Sequence, residues 1–217
     1  MRRRHYLLAT SSVFGFAGCS STSSDPTETA AKTETENTEQ QTAGNTEEMT
    51  ERQLSGHIRP AESPESPVKE LSCEKGNFTR HPPMYDEGSV PWGDTGYVSL
   101  RIDGTAFEYG DTAQITLTNT SDSTLSLGLK YLYQIELLTE DGWQDVRGQT
   151  GDDEFQYVDM GTEAAPGQVF EWSLRLTEEG VVPDEKDFTV CPELVSGRYR
   201  FVYWTVTPVA VAFDLQK

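Results

Sequence analysis

Histidine, lysine and cysteine are scarce in this chain of 217 residues, and each shortage removes a class of chemistry. Only three histidines occur, His5, His57 and His81, so a His-based catalytic triad has one candidate, His81, ahead of the rigid pair Pro82-Pro83. There is no G-x-S-x-G elbow, no phosphate-binding P-loop, no C-x-x-C pair and no Cys/His quartet suited to zinc. Lys and Arg together number 17 against 36 Asp and Glu, a net charge of -19. Such a surface repels phosphate backbones and anionic headgroups, which argues against nucleic acid as a partner and against docking of a folded domain on charged lipid. Helix-length stretches with a 3.6-residue apolar period are missing too, so the fold is read from period-two patterns. These gaps predict a protein that is not an enzyme, with no catalytic residues, no cofactor and no resident metal.

What is present begins at the N-terminus. Arg2, Arg3 and Arg4 precede an apolar run from Leu7 to Ala17, whose eleven residues span only about 16 Å as a helix, short of a bilayer core of ~30 Å. That pattern predicts a signal peptide over residues 1–19. The string Phe16-Ala17-Gly18-Cys19 resembles a lipobox, and Arg3-Arg4 followed by His5-Tyr6-Leu7-Leu8 resembles a twin-arginine export signal. The resemblance implies export in the folded state, cleavage before Cys19 and lipidation of Cys19. The membrane is then a partner through that lipid, and the chain sits on the outer face of the cell membrane. Two acyl chains, as in known lipoproteins, anchor stably where one is marginal.

Residues 20–66 are Ser, Thr, Glu, Gln, Asn and Pro with ten acids and three bases; Met49, Leu54 and Ile58 are the large apolar residues. Such a segment buries too little surface to offset its ordering entropy, so a disordered acidic tether is expected. Acidic, Lys-poor, Thr-rich composition resembles that of proteins from salt-loving archaea.

Residues 67–217 are expected to form one domain with its core in 96–217. Strands are predicted over 96–102, 114–119, 130–138, 143–147, 168–176, 198–206 and 209–215 from alternating apolar residues, with Asp141-Gly142 as a hairpin signal. Val169–Leu176 is the clearest, Phe170, Trp172, Leu174 and Leu176 falling on one face. Seven or eight such strands separated by turn residues predict an all-β antiparallel β-sandwich.

Tyr109-Gly110-Asp111-Thr112, Leu117-Thr118-Asn119-Thr120-Ser121-Asp122, Ala165-Pro166-Gly167-Gln168 and Leu194 to Phe201 together look like a microbial immunoglobulin-like domain. The resemblance covers 96–217 and implies fold and secreted location, not activity. It also implies that Tyr199 is a corner tyrosine whose hydroxyl bonds backbone.

With Cys19 lipidated, Cys73 and Cys191 remain as an even pair outside the cell and are expected to form a disulfide. Asn77-Phe78-Thr79 and Asn119-Thr120-Ser121 are acceptor triplets for N-glycosylation. Gly151-Asp152-Asp153-Glu154 with Asp159 offers oxygens to Ca²⁺ but lacks EF-hand spacing, so a solvated loop is the competing reading. If Tyr199, Phe201 and Tyr203 point inward, Val202, Trp204 and Val206 point outward as a contact surface, unless segment 68–93 with Trp92 folds over that face.

The expected function is that of a lipid-anchored surface protein displaying a non-catalytic immunoglobulin-like module for binding or envelope architecture, its partner a surface protein or a glycan. The alternative is an accessory or inhibitor-like subunit acting on another exported protein through loop 147–166.

Overall fold

The computed structural model describes residues 54–64, 67–74, 76–86, 90–151, 155–157, 160–205 and 207–217, all within the compact unit Thr38–Lys217. The strands are β1 (Phe78–Arg80), β2 (Val98–Ile102), β3 (Ala106–Glu108), β4 (Thr112–Asn119), β5 (Leu125–Gly128), β6 (Tyr133–Thr139) and β7 (Gly142–Asp145). They continue with β8 (Arg147–Thr150), β9 (Gly161–Ala164), β10 (Val169–Arg175), β11 (Thr189–Val190), β12 (Gly197–Tyr203) and β13 (Val209–Gln216). Among the described residues no helix is long and apolar enough to cross a membrane.

Two sheets form the body. One has the order β10-β4-β2 and the other β3-β13-β12-β6-β7, antiparallel throughout except where β3 runs parallel to β13. Alternation in the sequence sets the register: Tyr199, Phe201 and Tyr203 lie opposite Leu137, Ile135 and Tyr133 on one side and Phe213, Val211 and Val209 on the other. Those residues face Leu100, Ile115, Leu117, Phe170 and Leu174 in one buried apolar cluster. Trp172 spans the layers, its ring 5.1 Å from Phe201 and its indole nitrogen donating to the Lys130 carbonyl at 2.8 Å. The all-β sandwich expected from the alternation is the architecture observed. Tyr199 donates its hydroxyl hydrogen to the Val195 carbonyl at 2.8 Å and accepts from the Val195 N–H at 3.1 Å, clamping the approach to β12.

Three predicted strands differ most from expectation. The strand predicted over 130–138 starts at Tyr133, because Lys130 and Tyr131 sit in a turn closed by the Leu132 N–H on the Leu129 carbonyl. The strand predicted over 143–147 divides at Val146: β7 stays in the five-stranded sheet, and β8 crosses to a second layer of order β1-β8-β11. The strand predicted over 198–206 ends at Tyr203.

The largest correction concerns the tether. Residues 54–64 belong to the folded body: His57 exchanges backbone hydrogen bonds with Ile102 at 2.7 and 2.9 Å, and the Ile58 carbonyl accepts from Ala212 at 2.8 Å. Arg198 donates to the Glu62 carbonyl at 2.6 Å. These bonds occupy the edges of β2 and β13, which would otherwise present unpaired backbone. Residues 20–53 lie outside the described residues.

The described residues between Val68 and Trp92 continue across the outer face of the five-stranded sheet. Val68 pairs with Thr139 and Trp92 with Ala210. Cys73 is bonded to Cys191 with Cα atoms 5.4 Å apart and 118 residues of separation, which ties this cover to the strand layer β1-β8-β11.

Candidate functional site

Under this cover lies a buried polar layer. Gln134 and Glu136 on β6, Asp145 on β7, Arg147 on β8 and Arg200 on β12 occupy positions that alternate with the apolar core residues, yet all are buried. Arg147 is completely enclosed: its Nε and one terminal nitrogen each donate to Asp145 at 2.9 Å, and it also reaches the Tyr133 carbonyl at 2.6 Å. Its guanidinium lies 4.9 Å from the Tyr133 ring centre. Burial opposes the Arg147 charge, but the Asp145 carboxylate outweighs it, and the guanidinium is held above its ordinary value. Arg80 on β1 adds bonds to the carbonyls of Asp145 (2.6 Å), Leu71 (2.8 Å) and Cys191 (3.0 Å).

His81 is 3% exposed and sits against this pair, with Nδ1 3.7 Å from Asp145 Oδ2 and 2.9 Å from the Pro82 carbonyl. Nδ1 also lies 2.9 Å from the Gln134 side-chain nitrogen, and Nε2 meets the Tyr157 hydroxyl, so both ring nitrogens are engaged. Desolvation lowers the His81 pKa against the pull of Asp145 and holds the ring neutral. Burial raises that of Tyr157, so its hydroxyl stays protonated. A second group joins Tyr85, Glu136 and Arg200 by hydrogen bonds, with Arg200 4.4 Å from the Trp143 ring centre. Burial raises the Glu136 pKa while Arg200 and Tyr85 counter it.

This layer chemically supplies fixed, mutually satisfied charges and a neutral imidazole. It opens at one end, where Tyr157 meets Trp204 edge to face at 5.2 Å between ring centres and an interplanar angle of 86°. There the two rings line a cleft of about 300 Å³ with Met84, Met160, Ser126 and Thr205. Its wall includes the strand pair β5–β9, in which Gly128 lies directly opposite Gly161. A side chain on either would displace a lining residue: a Cβ at Gly128 would come within 2.2 Å of Thr205 Cγ2, and one at Gly161 within 2.5 Å of Ser126 Oγ. The indole Nε1 of Trp204 is buried without a hydrogen-bond partner.

The residues singled out in the sequence fall unevenly on this picture. Val202 is 0% exposed, because the cover folds over the outer face of β12; it is no contact surface. Trp204 is half-buried in the cleft wall, and Val206 lies outside the described residues. Asn119 is no glycosylation acceptor in the folded chain: it is 1% exposed, and its side-chain nitrogen donates to the carbonyls of Ser123 and Ala164 at 2.9 Å each. Asn77 is exposed just before β1. Loop 147–166 is less open than expected: β8 and β9 form its ends, and Phe155 and Tyr157 set their rings against His81 at 5.0 and 5.7 Å. Cys19, Asp152, Asp153, Glu154 and Asp159 lie outside the described residues. Gln134, Glu136, Asp145, Arg147 and Arg200 were invisible as a site, since polar residues alternating with apolar ones look like a solvent face.

No family model matches the chain, and no characterised protein matches it in sequence. Among the solved structures similar to parts of it are two with low identity. A Pseudomonas fluorescens alkylpurine DNA glycosylase, AlkC, bound to DNA containing an abasic site analog, is 12% identical over 58% of this chain and 32% of its own, with a TM-score of 0.29. A Listeria innocua beta-glucosidase in complex with isofagomine is 10% identical over 69% of this chain and 22% of its own, with a TM-score of 0.28. The chain thus spans about a third or less of each, and at these scores neither likeness bears on function.

Proposed function

We propose that the chain is an exported lipoprotein, anchored through Cys19 to the outer face of the cell membrane, whose domain is a non-catalytic immunoglobulin-like binding module. The observation that carries the reading is the order of parts: a short apolar run ending in Phe16-Ala17-Gly18-Cys19, then an acidic stretch, then an all-β domain stapled by Cys73–Cys191. A long-range disulfide belongs to oxidising surroundings, and the backbone clamp at Tyr199 is the kind of corner that immunoglobulin-like sandwiches use. The buried polar layer favours a structural over a catalytic role, because a neutral His81 and a protonated Tyr157 face each other with no nucleophile between them among the described residues. The net charge of -19 fits a protein of salt-rich surroundings, kept soluble by self-repulsion. Fractionation tests the anchor. The wild-type chain should partition with membranes and detergent, and Cys19→Ser should move to the aqueous phase; identical partitioning of the two would refute the reading.

A further inference from the structure

We propose that the cleft beside Trp204 is a binding site for a single neutral sugar ring, an inference that rests on the domain being a binding module. The first ground is the construction of the cleft. Two strands place glycine opposite glycine, Gly128 and Gly161, at the one point where any side chain would run into Thr205 or Ser126. Paired glycines weaken a sheet, and here they let Thr205 and Ser126 pack directly on the strand pair; the cleft these residues line has a volume of about 300 Å³, at the lower end of the ~300–1,000 Å³ that small-molecule pockets occupy.

The second ground is its chemistry. None of the described lining residues is charged, in a chain with 17 basic and 36 acidic side chains. An ionic ligand would lose hydration there without a described counter-charge to replace it. The lining instead alternates apolar surface, including the Trp204 ring, with neutral hydrogen-bonding groups: the phenol of Tyr157, the hydroxyls of Ser126 and Thr205, and the thioether of Met160, which is 58% exposed. A sugar ring has the matching character, with C–H faces that lie on aromatic rings and hydroxyls that both donate and accept.

The third ground is the unpartnered donor. Trp204 Nε1 is buried with no acceptor, a state that native proteins rarely leave uncompensated. A ligand hydroxyl seated against the indole supplies that acceptor after a small shift of the ring edge. The rings are already placed: Tyr157 is pinned by His81 and stands edge to face with Trp204, so little side-chain freedom is lost on binding.

The test uses the full chain carrying Cys19→Ser, titrated with the methyl glycosides of glucose, galactose and mannose. The Trp204 indole N–H resonance is followed, assigned by its loss in Trp204→Phe. At least one neutral glycoside should shift that resonance saturably, with a dissociation constant of about 1 mM. Trp204→Ala should weaken binding by about tenfold, and Met160→Ala, which leaves the fold's core untouched, should weaken it by about threefold. The inference is overturned if no neutral glycoside shifts the resonance. It also falls if glucosamine, glucuronate or cyclohexanol binds as tightly as the best neutral sugar, or if both variants bind like the parent. Anchoring is read separately by fractionation, so a chain that anchors through Cys19 but ignores neutral sugars overturns the ligand class and leaves the anchored module standing.

Discussion

The two faces of β6 are both buried but are built from opposite materials. Along β6, Tyr133, Ile135 and Leu137 face the sandwich core, while Gln134 and Glu136 face the N-terminal cover, and all five are buried. On the inner face the stabilisation is non-directional and graded, so each lost methylene costs a little. On the outer face it depends on completeness: Asp145 is tolerable only with Arg147, and Glu136 only with Arg200 and Tyr85. The inner face therefore tolerates small defects, and the outer face should not.

The sharpest way to break the comparison is to release the cover. Cutting the Cys73–Cys191 link removes a constraint across 118 residues, which in the chain-entropy account is worth about 4–5 kcal/mol. Cys73→Ser with Cys191→Ser should lower the unfolding free energy by that order in denaturant titration. Hydrogen exchange should show β1, β8 and β11 losing protection before β12 and β13. Uniform loss across both sheets would mean that the cover and the sandwich unfold as one, and the two-face distinction would carry no energetic meaning.

Next in size is the buried ion pair. Arg147→Met leaves the Asp145 carboxylate enclosed without its partner, a change expected to cost about 3–5 kcal/mol. On the opposite face, Ile135→Val, equally buried, should cost only about 0.5–1.5 kcal/mol. Adding Asp145→Leu to Arg147→Met should recover part of the loss by removing the stranded charge. If the double variant is no more stable than Arg147→Met alone, the carboxylate is held by its other donors, and the layer is less interdependent than its geometry implies.

The inner face was readable from sequence and the outer one was not, for a physical reason. Tyr199-Arg200-Phe201-Val202-Tyr203 announces a strand and a core face through period two, and the register found matches that alternation. Arg200 on the same strand was consistent with solvent, because alternation records what is apolar and not what lies above the polar side. The cover that buries it comes from described residues between 54 and 92, the first of which lie in a stretch so short of large apolar side chains that it looked like tether. Leu71 and Val68 join the apolar cluster, but most of the hold is backbone pairing, at His57, Ile58, Val68 and Trp92, together with polar contacts and the disulfide, which do not depend on hydrophobic patterning. The Trp204 cleft was half legible: its indole stood out on the strand, but the opposed glycines belong to β5 and β9, strands too short and polar to be predicted.

The smallest expected effect, at neutral pH, is a change in acid sensitivity. Burial depresses the His81 pKa below its unfolded value of about 6.5. The fold thus favours the neutral ring, and this contribution is complete above that pH and lost as pH falls toward the lower folded value. Protonation would also place a cation beside Arg147 and Lys186, which Asp145 only partly answers. Glu136 has the reverse sign. Its raised pKa favours the protonated carboxyl in the fold, a contribution present in full below the unfolded carboxylate value of about 4.3 and lost as pH rises through the folded one. Unfolding free energy measured from pH 7.5 downward should therefore decline below about pH 6.5 in the wild type. The decline should be shallower in His81→Gln, whose amide can still meet Tyr157, and steeper in Glu136→Gln, which lacks the opposing carboxyl. Equal slopes in wild type and His81→Gln would show that the imidazole takes up its proton without leaving its place, and that the outer face accommodates a new charge after all.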